Sequence, residues 1–111
     1  MNGSGVDSTL AALADPTRRA VIDLLSKRPH RAGELAGMLA LTPPALSRHL
    51  RVLKKSGLVR DEEPADDARV RLYRLQPEAF GPLHDWVGAI SALWTGQLEA
   101  FKAHAERRGR R

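Results

Sequence analysis

Apolar residues recur along most of this chain at helical spacing, with one short interval of strand-like alternation. Leu10, Leu13 and Ala14 share one face of a short first helix that Asp7 or Ser8 can cap. Asp15-Pro16 starts a second helix. The Asp side chain can accept from the first free N–H groups, and proline lacks an N–H that would be unpaired there anyway. Val21, Leu24 and Leu25 follow at i, i+3 and i+4, and Pro29 ends the run near Lys27. Leu35, Ala36 and Leu39 mark a third helix from about Ala32 to Leu39. Thr42-Pro43-Pro44 restarts the chain, and Leu46, Leu50 and Leu53 form the apolar row of a fourth helix. It runs to about Ser56, where Gly57 suits the left-handed position just past a helix end.

The period then changes. Leu58 to Asp61 and Arg69 to Leu75 read as two strands, with a turn over Glu63 to Ala68. Gly81-Pro82 opens a last helix to about Arg107, with Leu83, Trp86, Val87, Ile90, Trp94, Leu98 and Phe101 near helical spacing. The predicted fold is mainly α with a small β-hairpin, in the order α-α-α-α-β-β-α.

With 111 residues, one domain is expected, spanning 8–107 between a flexible start (1–7) and a basic tail (108–111). The absence of cysteine excludes disulfides and any thiolate metal site. No stretch approaches the roughly 18 apolar residues of a membrane span, and no secretory signal pattern opens the chain. A cytoplasmic protein with no membrane partner is expected.

The net charge of +5 favours a polyanionic partner, and its distribution sharpens that reading. Thr42 to Arg60 holds Arg48, Arg51, Lys54, Lys55 and Arg60 with no acidic residue. The third and fourth helices are short and joined tightly at Ala40-Leu41-Thr42, which is a helix-turn-helix arrangement. With Leu46, Leu50 and Leu53 turned inward, Pro44, Ser47, Arg48, Arg51 and Lys55 point away at about 100° per residue. Small residues at the start of that face allow close approach to base edges, and arginine can bond guanine or phosphate. Double-stranded DNA is the expected partner.

Several segments together resemble the ArsR (arsenical-resistance repressor) family. They are Ala11-Ala12-Leu13-Ala14-Asp15-Pro16-Thr17-Arg18-Arg19, Glu34-Leu35-Ala36, Thr42 to Leu58 (TPPALSRHLRVLKKSGL) and Arg71-Leu72-Tyr73-Arg74-Leu75. The resemblance covers residues 10 to about 95 and implies a winged helix-turn-helix homodimer that represses transcription from an operator. By the same resemblance, Thr42, Ser47, Arg48 and His49 fall at DNA-contact positions. A packing role for His49 is an equal alternative, and Arg18 and Arg19 suit either phosphate contact or a structural ion pair. Two departures stand out. Ala40 stands where the family usually has glycine, a residue that tolerates positive φ. The turn between the strands carries Glu62, Glu63, Asp66 and Asp67, which phosphate repels. Arg69 and Arg71 on its flank are therefore the better wing contacts.

The resemblance also raises metal sensing, which the residues here do not favour. Glu34-Leu35-Ala36-Gly37-Met38 has no thiolate, and His84, Asp85 and His104 lack ligand spacing on one helix face. No metal site and no cofactor is expected. Nor is there a Gly-rich phosphate loop, HExxH or GxSxG, so no catalytic residues and no enzyme are expected. The last helix is long for so small a domain. A two-fold dimer through Leu10, Leu13, Ile90, Trp94, Leu98 and Phe101 would cover its stripe, with Leu83 and Trp86 packing on the chain's own core. Alternatives are a non-specific architectural DNA binder and a winged-helix protein-interaction module. The regulating signal, whether a small ligand or a protein, is left open.

Overall fold

The computed structural model describes residues 4–63 and 71–109. Helix α1 (Ser4–Leu13) is followed by α2 (Pro16–Lys27), strand β1 (His30–Arg31), α3 (Ala32–Leu39) and α4 (Pro43–Lys55). Strands β2 (Val59–Glu62) and β3 (Leu72–Leu75), a 3-10 turn at Pro77–Phe80 and the long α5 (Gly81–Gly109) complete the chain. The strands form one antiparallel sheet in the order β1-β3-β2, with His30 opposite Tyr73 and Asp61 also opposite Tyr73 from the other side. The fold is a winged helix-turn-helix.

The helix starts follow local chemistry. Asp15 Oδ1 accepts from the backbone N–H of Thr17 at 2.7 Å and of Arg18 at 3.1 Å, with Pro16 in the first turn. Thr42 Oγ1 accepts from Ala45 N–H at 3.3 Å, ahead of Pro43 and Pro44. The core lies where α2, α3, α4 and β2 meet: Val21, Leu25, Leu35, Ala36, Leu46, Leu50, Leu53, Leu58 and Val59 are all buried. Leu24 and Leu39 pack against it partly buried.

Helices α3 and α4 end in the same way. After α4, Gly57 turns left-handed at φ 81°, its N–H reaching Lys54 C=O at 3.0 Å while Leu58 N–H reaches Leu53 C=O at 3.1 Å. After α3, Ala40 adopts φ 55° and Leu41 N–H reaches Ala36 C=O at 2.9 Å. Both are Schellman-type ends, and in each the following leucine turns toward the core. The left-handed conformation costs an L-residue roughly 1–2 kcal/mol, whereas glycine's extra backbone freedom costs about 0.4–1 kcal/mol. Ala40→Gly is therefore expected to stabilise the protein by about 0.5–1 kcal/mol. Urea denaturation checks this, and a lower midpoint than wild type would contradict it.

The first helix differs from its sequence reading. It begins at Ser4, ahead of the expected cap at Asp7 or Ser8. Its buried face is Thr9 and Ala12, while Leu10 is 44% exposed and Ala14 is also exposed. Thr9 is accommodated because its hydroxyl donates to Gly5 C=O at 2.8 Å. Arg18 and Arg19 explain how this helix ends. Arg18 donates to the carbonyls of Ala12 (2.6 Å) and Ala11 (3.1 Å), and Arg19 to that of Leu13 (2.7 Å). These are the orphan carbonyls of α1, which has no basic residue in its own last turn. Both guanidiniums are thus helix caps, and neither forms the ion pair that was one expectation for them among the described residues.

Candidate nucleic-acid interface

Helix α4 presents two unlike faces. Leu46, Leu50 and Leu53 are buried at 2%, 3% and 0% exposure, which fixes the rotation of the helix. Thr42, Pro44, Ser47, Arg48, Arg51, Lys54 and Lys55 are exposed as a consequence. Arg48, Arg51 and Lys55 make no ion pair among the described residues, so their guanidinium and ammonium groups face solvent ready for an anion. Ser47, Arg51, Lys54 and Lys55, with Leu50 and Tyr73, line an open groove of about 520 Å³ between α4 and the sheet. From the sequence, Lys54 counted only toward the basic cluster and Tyr73 only as part of the second wing strand, neither as a site residue. The groove exists only because β3 folds back beside α4, and no pattern within α4 indicates that.

His49 is half-buried, unlike Arg48 beside it. The carboxyl of Asp15 is held below its usual range by the Arg18 backbone N–H above all, with smaller contributions from Thr17 N–H and the nearby His49 and Arg18 charges.

The wing is more heavily neutralised than its arginines suggest. Arg71 bonds Asp61 at 3.0 Å and Glu63 at 3.5 Å, and Arg74 pairs with Glu62. Lys54 crosses from α4 to Asp61 at 2.9 Å. Arg71, expected as a wing contact to DNA, is 51% exposed and is held by two carboxylates of the β2 arm. Arg69 and the acidic turn at Asp66 and Asp67 lie outside the described residues.

The entry to α3 has its own polar lock, also invisible in the sequence pattern. Glu34 accepts from Arg31 N–H at 3.0 Å and from Arg28 at 3.0 Å, and these bonds pull its carboxyl down to about 2. His30 is 3% exposed on β1, with Nδ1 3.7 Å from Glu34 and no hydrogen-bond partner. A two-residue strand has no periodicity to read, so only its pairing with β3 reveals it.

Helix α5 has no buried residue along its 29 positions. Leu83 is half-buried, but Trp86 is 49% exposed and does not pack into the chain's own core as expected. Further on, Ile90 is 49%, Trp94 59%, Leu98 47% and Phe101 73% exposed. Leu13, expected beside them, packs partly buried against the core of its own chain. Among the described residues no three His, Asp or Glu side chains gather as a metal-binding group. Among the described residues no helix is long and apolar enough to cross a membrane.

A buried leucine row, a capped recognition helix and a β-hairpin beside it define a winged helix-turn-helix DNA-binding regulator of transcription. Residues 15–61 match the family described as bacterial regulatory protein, arsR family. The chain is 40% identical over 95 residues to the HTH-type transcriptional regulator Rv2034 of Mycobacterium tuberculosis, covering 86% of this chain and 83% of that protein. It is 34% identical over 56 residues to the transcriptional repressor SdpR of Bacillus subtilis, covering 50% of this chain and 62% of that one. A crystal structure of an ArsR family transcriptional regulator superposes with a TM-score of 0.74 at 32% identity, over 86% of this chain and 95% of the other. The chain belongs to the arsR family of bacterial regulatory proteins, whose members are regulators and not enzymes.

Proposed function

We propose that the protein is a sequence-specific repressor that acts in the cytoplasm and grips an inverted-repeat operator as a homodimer. The observation that carries this reading is the solvent-facing row of α4, where Ser47, Arg48, Arg51 and Lys55 stand opposite a buried leucine row. The row grades from small residues at the helix start to cations at its end. Thr42, Pro44 and Ser47 allow close approach to base edges, Arg48 and Arg51 reach guanine or phosphate, and Lys55 takes the backbone. His49 sits half-buried beside this row. The resemblance to SdpR, named a transcriptional repressor, supports repression. The uncovered stripe of α5 supports a second copy, which would set two recognition helices about 34 Å apart on successive major grooves.

Footprinting on the DNA flanking the protein's own gene tests the reading directly. A protected inverted repeat is expected, bound orders of magnitude more tightly than random DNA at the same salt. Protection no stronger than on random duplex would overturn it. Within the protected site, Arg48→Ala is expected to weaken binding by about 1–3 kcal/mol, the range for a good base contact. Titrations on operator and scrambled duplex measure this. Unchanged affinity for both would show that α4 does not present Arg48 to DNA.

A further inference from the structure

Asp61 reaches back from the wing to Lys54, one of the cations that line the groove. Its side chain is only 11% exposed, although it lies on an arm of the hairpin. One oxygen accepts from Lys54 at 2.9 Å and the other from Arg71 at 3.0 Å. Lys54 belongs to the last turn of the recognition helix, and Arg71 leads into β3. One carboxylate therefore holds two cations, one from each element that flanks the groove, much as a phosphate would hold them. The hydrogen bond from Lys54 is the main reason its carboxyl lies below the usual carboxylate range, so Asp61 is charged at neutral pH. Glu63, at 3.5 Å, gives Arg71 a second anionic partner. Arg48, Arg51 and Lys55 have no such partner among the described residues.

Resting on the DNA-binding reading above, we infer that Asp61 is a specificity-determining residue, an internal phosphate mimic that withholds Lys54 and Arg71 from sequence-independent contact with the DNA backbone. Non-specific binding is almost wholly electrostatic, and each phosphate neutralised steepens the salt dependence by about 0.9. For a phosphate to recruit Lys54 it must displace a carboxylate that then stays beside it, poorly solvated and repelled. That cost falls on every duplex alike. The outward Arg48 and Arg51 face no such competition, so base-dependent contacts keep a larger share of the binding energy. The device raises the ratio of specific to non-specific affinity by weakening the latter.

Asp61→Asn removes the charge and keeps the side-chain size. Binding of the full chain to a random-sequence duplex is measured from 50 to 200 mM salt, with circular dichroism as the control for folding. The variant is expected to bind random duplex about tenfold more tightly and to steepen the salt slope by about one to two. A native-like variant with an unchanged slope, or with weaker binding, would overturn the inference. Lys54→Met in the otherwise wild-type protein supplies an independent arm. Because Asp61 already withholds Lys54, the random-duplex slope is expected to stay within a few tenths of wild type. A slope shallower by about 0.9 would show Lys54 on the backbone already and would also overturn the inference. If the wild type binds no duplex at any salt in this range, the DNA-binding reading itself fails, which neither variant result mimics.

Discussion

Trp94→Glu is expected to convert the protein to monomers and to weaken binding to a full operator by on the order of 100-fold or more. Trp94 is 59% exposed in the single chain, so the substitution removes little from the fold of one protomer. Its neighbours on the stripe, Ile90, Leu98 and Phe101, are all at least 47% exposed. Helix α5 spans about 43 Å, and so long an uncovered apolar row supports the proposed interface. In a two-fold assembly each substitution occurs twice. An unpaired carboxylate buried in an apolar seam costs about 3–5 kcal/mol, and every 1.4 kcal/mol is about tenfold in affinity. Sedimentation at micromolar concentration, followed by titration of half and whole operators, checks both parts. A wild-type monomer that binds a half-site at full affinity would refute the dimer.

Leu53→Ala is expected to destabilise the protein by about 2–5 kcal/mol, with a fall in Tm of roughly 10–25 °C. Leu53 is fully buried in the row that seats α4 on the core, near Leu58 and Val59 at the start of the wing. Its carbonyl also closes the end of α4 by accepting from Leu58 N–H at 3.1 Å and from the Ser56 hydroxyl at 2.9 Å. Truncation leaves a cavity where the recognition helix meets the hairpin, and dense packing prevents neighbours from filling it fully. Operator binding should fade at the temperature where the variant melts. Thermal denaturation followed by circular dichroism measures the loss. A change under about 1 kcal/mol would mean that the site collapses around the smaller side chain.

The sequence by itself determined helices α2 to α4, because their signals act within a turn or two. Asp15-Pro16 and Thr42-Pro43-Pro44 start helices whatever surrounds them, and Gly57 ends one. The spacing of Leu46, Leu50 and Leu53 set which side of α4 turns outward, so the exposed row from Ser47 to Lys55 was legible without coordinates. Ala40 was also legible as a position of strain, through the resemblance to a family that usually has glycine there. Tertiary structure alone decided the partners of the charges. Arg18 and Arg19 cap the helix before their own, and Asp61 takes cations seven residues behind it and ten ahead. It also decided the strand at His30 and Arg31, which exists only through β3 some forty residues later. Helix caps and apolar periodicity are local, so the chain carries them in its order. An ion pair or a strand pairing depends on which surfaces the packed core brings together, and residues far apart in the chain acquire that nearness only once it has formed.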